Sequence, residues 1–553
     1  MVSEFRSHIG EEVFKRKYAV NEWETWREKA HAIVDAVCGT NGGTLDPILD
    51  KSTRDFLVEM IRQHKFMPGG RYVYYAGRKA KFWNNCYLLR LEEDTREEWA
   101  ALTHRAMSCL MTGGGIGIDI SIARPSGSPL SRTGGVASGP IPLLKCLNEV
   151  GVNVMQGGSR RSALYGSMNW QHPDSDEFLV VKNWNDMKAG SSGLTLGDMK
   201  QQDFNFRAPL DMMNISLNYD DEFLRSVKDG GLDKRFLMNV RQAMMTGEPG
   251  FSFNFGDKAN ETLRNACTEI TSEDDSDVCN LGSINMGAIE SLDEFKDIVA
   301  AASKFLVCGT MRAELPYDKV YEVRRKNRRL GLGLMGMHEW MLKRSLRYGM
   351  SNELREWLAI YESESERSAN EHCDRFYLSR PKAYRAIAPT GTISILAGTT
   401  SGIEPIYAVS YKRRYLTEGT KWKYEYCVDA AAQQVIESGI AVESIETSTD
   451  LAADYERRVE FQYEVQKYVD HGISSTINLP HWGSDLNNED KVADVARVVA
   501  KYAHGLRGLT FYPDGGRGGQ PITKVPYEEA SKKRGVVYED NSEEQCLSGV
   551  CGI

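Results

Sequence analysis

Hydrophobic and polar positions follow two different periods along this chain, and the changes of period divide it. From about residue 11 to residue 64 the apolar positions recur at helical spacing, with Trp23, Trp26, Ala30, Ile33, Val34 and Val37 on one stripe. A helical cap is predicted there. Beyond residue 66 short apolar runs at 72–75, 116–120 and 215–217 alternate with helical patterns and glycine-rich turns, as far as about residue 250. Such runs read as strands, and their alternation with helices predicts an α/β architecture. Helical periodicity returns at 292–311, 352–377, 424–438, 455–471 and 490–506, separated by strand-like pieces at 386–396, 475–479 and 508–512. The last stretch, 532–553, is polar and ends in CLSGVCGI, which predicts a mobile tail. No repeat of ~20–50 residues stands out.

Composition narrows the class. At 553 residues the chain suits several domains, or one large domain with insertions. With 41% hydrophobic residues it can bury a sizeable core, and disorder is excluded. A net charge of -9 argues against coating nucleic acid, so any phosphate handling must be local. There is no apolar run of the ~18 residues that span a bilayer, and the start lacks a secretory h-region. The expectation is a cytoplasmic protein without nucleic-acid or membrane partners. Eleven cysteines are too few for a secreted disulfide scaffold. Cys38, Cys109, Cys146, Cys308, Cys373 and Cys427 sit singly in apolar or helical surroundings and read as small buried hydrophobes. Cys86, Cys267, Cys279, Cys546 and Cys551 remain.

Asn265, Cys267 and Glu269 occupy every second position, so an extended backbone would point amide, thiol and carboxylate one way. Alone, that string is as well explained by a polar loop with an ordinary cysteine. It gains weight from Cys279, twelve residues later in CNLGSIN, and from Cys86 in FWNNCYLL. The run Pro389-Thr390-Gly391-Thr392-Ile393-Ser394 offers backbone N–H groups and three hydroxyls that suit an anion, or else a tight turn that needs glycine. Gly113-Gly114-Gly115-Ile116-Gly117 lacks the Gly-Lys-Ser/Thr ending of a Walker loop and reads as a turn into a buried strand. The closest other Cys or His residues to Cys546 and Cys551 are Cys427 and His504, so a local zinc set is hard to assemble. An exposed, mobile dithiol fits better. No metal site is expected.

Taken together, NACTEI, CNLGSIN, APTGTISILAGTTSGIEP, RRLGLGLMG, STINLP and the terminal C-x4-C resemble the catalytic α subunit of ribonucleotide reductases, in order from about residue 66 to 553. The resemblance implies a ten-stranded α/β barrel of two five-stranded halves, with a finger loop through its centre that carries Cys267 at its tip. It implies a helical region at 1–65 without an ATP cone, a catalytic barrel at 66–530 and a flexible redox tail at 531–553. Cys267 matches the thiyl residue, Glu269 the base and Asn265 the amide that holds substrate hydroxyls. Cys86 and Cys279 match the reducing pair, and Cys546 and Cys551 the tail pair that re-reduces it, with thioredoxin or glutaredoxin as outside donor. Pro389, Thr390, Gly391, Thr392, Ile393 and Ser394 match the substrate-phosphate loop, and Pro68 and Asn85 lie where the family approaches the substrate. Asp94, Arg124 and Arg160 match residues for a deoxynucleotide effector (dTTP, dATP or dGTP, with Mg), bound in relatives at a homodimer interface.

For the radical source, Gly508 to Gly515 keeps one tyrosine, Tyr512, where chains served by a ferritin-like metal subunit have two. That favours class II, adenosylcobalamin-using character, with a separate radical-generating subunit as the other possibility and Tyr512 as radical-transfer candidate. Two other functions compete. An inactive nucleotide-binding regulatory homologue predicts loss of a redox cysteine, yet all five positions are filled. A thiol-disulfide oxidoreductase acting through the tail leaves NACTEI and PTGTIS without a purpose.

Overall fold

The computed structural model describes residues 4–40, 47–154, 162–191, 193–203, 205–228, 230–416, 422–516, 522–534 and 537–539. The N-terminal region is helical as its period predicts, in helices His8–Val13, Trp26–Cys38 and Lys51–Arg62. Ser7, Thr25 and Asp50 cap these helices by accepting hydrogen bonds from first-turn N–H groups. Trp26, Ala30, Ile33, Val34 and Val37 are buried, but Trp23 is 80% exposed and does not belong to the stripe. It precedes the cap at Thr25, so helical phase does not apply to it.

Ten segments close into a barrel. Strands β1 Cys86–Arg90, β2 Gly115–Asp119, β3 Leu164–Asn169, β4 Met213–Tyr219 and β5 Gly250–Phe253 are adjacent and parallel in chain order. In the second half β6 Asp277–Asn285 is parallel to β7 Leu330–Met335, and β8 Thr476–Leu479 to β9 Gly508–Pro513. Parallel bridges Leu332↔Arg385 and Ile387↔Ile473 insert the segment at 385–387 between β7 and the run into β8. Two antiparallel seams join the halves: β1 to β6, with Cys86 opposite Cys279, and β5 to β9, with Gly508 opposite Ser252. Helices such as Leu292–Arg312 and Asn352–Arg375 cover the outside, and β1, β2 and β6 are buried almost throughout, as parallel strands covered on both faces should be.

Several local expectations change. The aromatic run at 72–75 lies in helix Gly70–Tyr75, because tertiary packing of Tyr72 and Tyr75 overrides strand propensity. The helical pattern at 424–438 splits into strand Trp422–Val428 and helix Ala430–Glu437, with Asp429 as its cap. The strand-like piece at 386–396 ends in helix Ile393–Ala397. Strand Trp422–Val428 belongs to a four-stranded antiparallel sheet with Ser410–Leu416, Ile522–Lys524 and Val537–Glu539, so part of the predicted mobile tail is ordered as a strand. Cys146 is exposed, unlike the other five isolated cysteines. Among the described residues no helix is long and apolar enough to cross a membrane.

Candidate functional site

Between β5 and β6 the chain makes a short hairpin in which Leu263 pairs with Ser272 and Arg264 with Thr271. Its base is pinned from both halves of the barrel. The buried Arg264 guanidinium donates to Asn254 Oδ1 at 2.8 Å and to the carbonyl of Arg507 at 3.0 Å. The Thr271 N–H donates to His471 Nδ1 at 3.1 Å, and that of Gly472 to the Glu269 carbonyl at 2.7 Å. The glycine run at 113–117 does enter β2 by a turn, as read from the sequence, but it has a second role. A methyl on Gly117 would overlap the Arg264 carbonyl, and one on Gly115 would come 3.0 Å from Ala266 Cβ. These glycines let the finger lie directly on the strand.

The tip itself is a turn, not an extended strand. The Thr268 N–H donates to the Asn265 carbonyl at 3.0 Å, and Thr268 has φ +70°. Alternation therefore does not align Asn265, Cys267 and Glu269; the turn sends Asn265 and Glu269 inward and leaves Cys267 exposed on the open side. All three line one cavity of about 170 Å³ with Cys86, Asn85 and Arg71.

Cys86 and Cys279 form a directly opposed antiparallel pair, which fixes their Cα atoms ~4.5–5.5 Å apart with side chains on one face. That lies within the span a disulfide requires. Asn265 Oδ1 accepts from the Ile270 N–H at 2.9 Å, which orients its Nδ2 to donate to Cys86 Sγ at 3.0 Å. Cys86 Sγ also stands 4.0 Å from Glu269 Oε1, while Glu269 Oε2 is buried without a hydrogen-bond partner. Burial raises the Glu269 carboxyl to about 7. Burial, reinforced for Cys86 by Glu269 and for Cys279 by Asp277, pushes both thiols well above the usual range. Around neutral pH the site thus holds two protonated thiols and a carboxyl that readily gains or loses its proton.

The run at 389–393 forms another wall of the same cavity. Pro389, Thr390, Gly391, Thr392 and Ile393 line the cavity, and the chain turns there into helix Ile393–Ala397. Thr390, at φ +48°, accepts from the Gly402 N–H through Oγ1 at 3.0 Å and fixes the loop. Ser394 stands behind the wall, bonded to Ser401 Oγ at 2.9 Å. Pro68 is likewise set back, paired with Gly282 on β6; its neighbours Gly69 and Gly70 take the lining position. Tyr18, from a region read only as an amphipathic helix, also lines the cavity. No local sequence signal distinguishes it from a core aromatic.

The remaining predicted residues fall elsewhere. Asp94 accepts from the Arg124 backbone at 3.0 Å and from its guanidinium, so these two effector candidates adjoin one another beside helix Arg96–Met111. Tyr512, on β9, lines a different cavity of about 610 Å³ with Tyr407, Asn478, Pro480 and Asp514. Arg160, Cys546 and Cys551 lie outside the described residues. Among the described residues no cluster of three or more His, Cys, Asp or Glu is placed to hold a metal ion.

Comparison with known proteins places this geometry in context. The family model described as "Ribonucleotide reductase, barrel domain" matches residues 84–263, 236–362 and 379–512. A vitamin B12-dependent ribonucleoside-diphosphate reductase of Mycobacterium tuberculosis (strain CDC 1551 / Oshkosh) is 26% identical over 541 residues, spanning 84% of this chain and 72% of the relative. The protein of the same name from Thermoplasma acidophilum is 26% identical over 541 residues, spanning 87% and 68%. Among solved structures, the Actinobacillus ureae class Id ribonucleotide reductase alpha subunit superposes with a TM-score of 0.69 at 18% identity, over 92% of this chain and 97% of that one. That likeness concerns the fold.

Proposed function

The chain belongs to the ribonucleotide reductase family, and from that premise we propose that Cys267, Glu269, Asn265, Cys86 and Cys279 carry the reduction of a ribonucleoside di- or triphosphate to its 2'-deoxy form. The observation that supports it most is that Cys86, which lines the same cavity as Cys267, is paired directly across the strands with the buried Cys279. Direct displacement of a 2'-hydroxyl is not feasible, so a radical at the neighbouring carbon must come first. Cys267, as thiyl, takes the 3'-hydrogen atom. Glu269 takes the 3'-hydroxyl proton, and Asn265 holds the hydroxyls. Protonated by one of the buried thiols, the 2'-hydroxyl leaves as water. Cys86 and Cys279 supply two electrons and two protons in all and end as a disulfide, while Cys267 returns the hydrogen atom to C3'. The inactive alternative has no support here, because every barrel sulfur is in place.

Cys267 is the exposed member of the three, so an outside radical reaches it without disturbing the buried pair. That fits adenosylcobalamin, a form of the vitamin B12 on which both relatives are named as dependent. When bound, adenosylcobalamin supplies a carbon-centred radical. In this reading the cavity of about 610 Å³ lined by Tyr512, Asn478 and Asp514, at the C-terminal ends of β8 and β9, would be the place for it. Asp94 and Arg124, held together, suit a deoxynucleotide effector with Mg; Arg160, a homodimer, and re-reduction of the pair by Cys546 and Cys551 with thioredoxin or glutaredoxin complete the proposal. One assay tests the core of it: the purified chain with adenosylcobalamin, dithiol, ribonucleotide and deoxynucleotide effector. Wild type should form deoxyribonucleotide, and C267S should form none while binding substrate unchanged. Product from C267S would remove the thiyl assignment; none from wild type would remove the cobalamin assignment.

A further inference from the structure

The loop at 389–394 contains no basic residue, and Arg71 is the cationic side chain on the cavity wall. A nucleotide phosphate entering a partly buried site needs opposite charge there. The N-terminal segment brings it. Helix His8–Val13 lies so close to helix Ile393–Ala397 that a methyl on Gly10 would sit 2.9 Å from the Ile395 carbonyl oxygen and 3.2 Å from that of Leu396. Arg6, ahead of this helix, pairs with Glu339 at 3.2 Å. The helix then widens into one π-helical turn, Phe14–Tyr18, a local form that frequently marks functional sites. Both of its ends are anchored. Phe14 is buried with Phe5 and Trp26, at ring separations of 5.4 and 5.6 Å, and Arg78 donates to the carbonyls of Tyr18 and Ala19 at 3.3 and 3.1 Å.

The turn presents Lys17 to the phosphate loop and Tyr18 to the cavity. Lys17 Nζ donates to Thr392 Oγ1 at 3.4 Å. Tyr18 lines the cavity, and its hydroxyl stands 2.9 Å from where a methyl on Gly70 would project.

We propose that Lys17 is a ligand for the substrate's outer phosphate. Its ammonium, beside Thr392, donates to a phosphate oxygen held by the loop, and Tyr18 walls the cavity on that side. The N-terminal segment is then part of the substrate site and not merely a cap. This rests on the reading of residues 389–394 as the phosphate loop.

Binding can be measured on the full chain without any radical source, by titration calorimetry with a ribonucleoside diphosphate and with its parent nucleoside. A charge-assisted hydrogen bond is worth ~1.5–3 kcal/mol, so K17M, which keeps the alkyl stem, should weaken the diphosphate ~10- to 100-fold. Nucleoside affinity should not change, and K17R should retain most of the diphosphate affinity. In turnover K17M should raise KM and leave kcat within about twofold. Undiminished diphosphate binding by K17M would overturn the inference, as would an equal loss for the nucleoside, which marks a purely structural role. If wild type binds diphosphate no better than nucleoside, the phosphate-loop reading itself fails.

Discussion

The carboxyl of Glu269 is the residue whose surroundings constrain its chemistry most. One oxygen stands 4.0 Å from Cys86 Sγ and the other is buried without a partner. Burial in such a place disfavours the charged form and lifts the carboxyl to about 7. A base must be deprotonated to act, so the competent form gains population as pH rises through about 7. The free-enzyme profile of kcat/KM should therefore climb across that range and level above it. E269Q should flatten the rise and lose ~10²- to 10⁴-fold in rate, the span typical of a positioned proton acceptor. A profile that falls between pH 6 and 8, or wild-type turnover from E269Q, would exclude the role. The same residue shows where sequence reading stops. The spacing Asn265, Cys267, Glu269 picked out three groups that line one cavity, yet alternation gave the wrong geometry, because Thr268 adopts φ +70° and turns the chain. Positive φ at a β-branched residue such as Thr268 is an outlier that its residue type does not signal.

At the level of elements, long periodic segments were legible and contact-driven ones were not. The helices at 292–312 and 352–375 and the strands at 476–479 and 508–513 fall within a few residues of their predicted bounds. Helix Gly70–Tyr75 and strand Trp422–Val428 do not, since aromatic packing and sheet pairing decide them. The glycines of 113–117 were seen as a turn; that Gly117 also faces the finger depends on a partner nearly 150 residues away. Its hydrogen is the one substituent that clears the Arg264 carbonyl, because both partners are backbone and neither can rotate aside. G117A should therefore push the hairpin off β2. Overpacking of this kind costs ~1–3 kcal/mol, so apparent melting temperature should drop by a few degrees. Turnover should fall far more, since displacing a reacting group by ~1 Å can cost ~10²-fold. Thermal melts and a turnover assay read both effects; a variant equal to wild type in both would mean the finger is held elsewhere.

Across the whole molecule, the proposed redox pair lies at a seam. Cys86 opens the first half-barrel on β1 and Cys279 lies near the start of the second on β6, and these strands form one of the two antiparallel joints that close the barrel. Each turnover that oxidises the pair would thus also cross-link the halves. The closed loop contains roughly 190 residues, and linking so long a loop restricts the unfolded chain by an amount typically worth ~2–4 kcal/mol. The opposed strand positions already bring the Cα atoms within disulfide range, so little native strain should offset this. Protein taken through turnover without external dithiol should then yield a Cys86–Cys279 linked peptide in a non-reducing digest. It should also melt at a higher apparent temperature than the reduced form, and C279S should show no such difference. An oxidised form that melts at or below the reduced one, with the linked peptide present, would show that the seam must distort to close. The reductive half of the cycle would then be driven partly by release of that distortion.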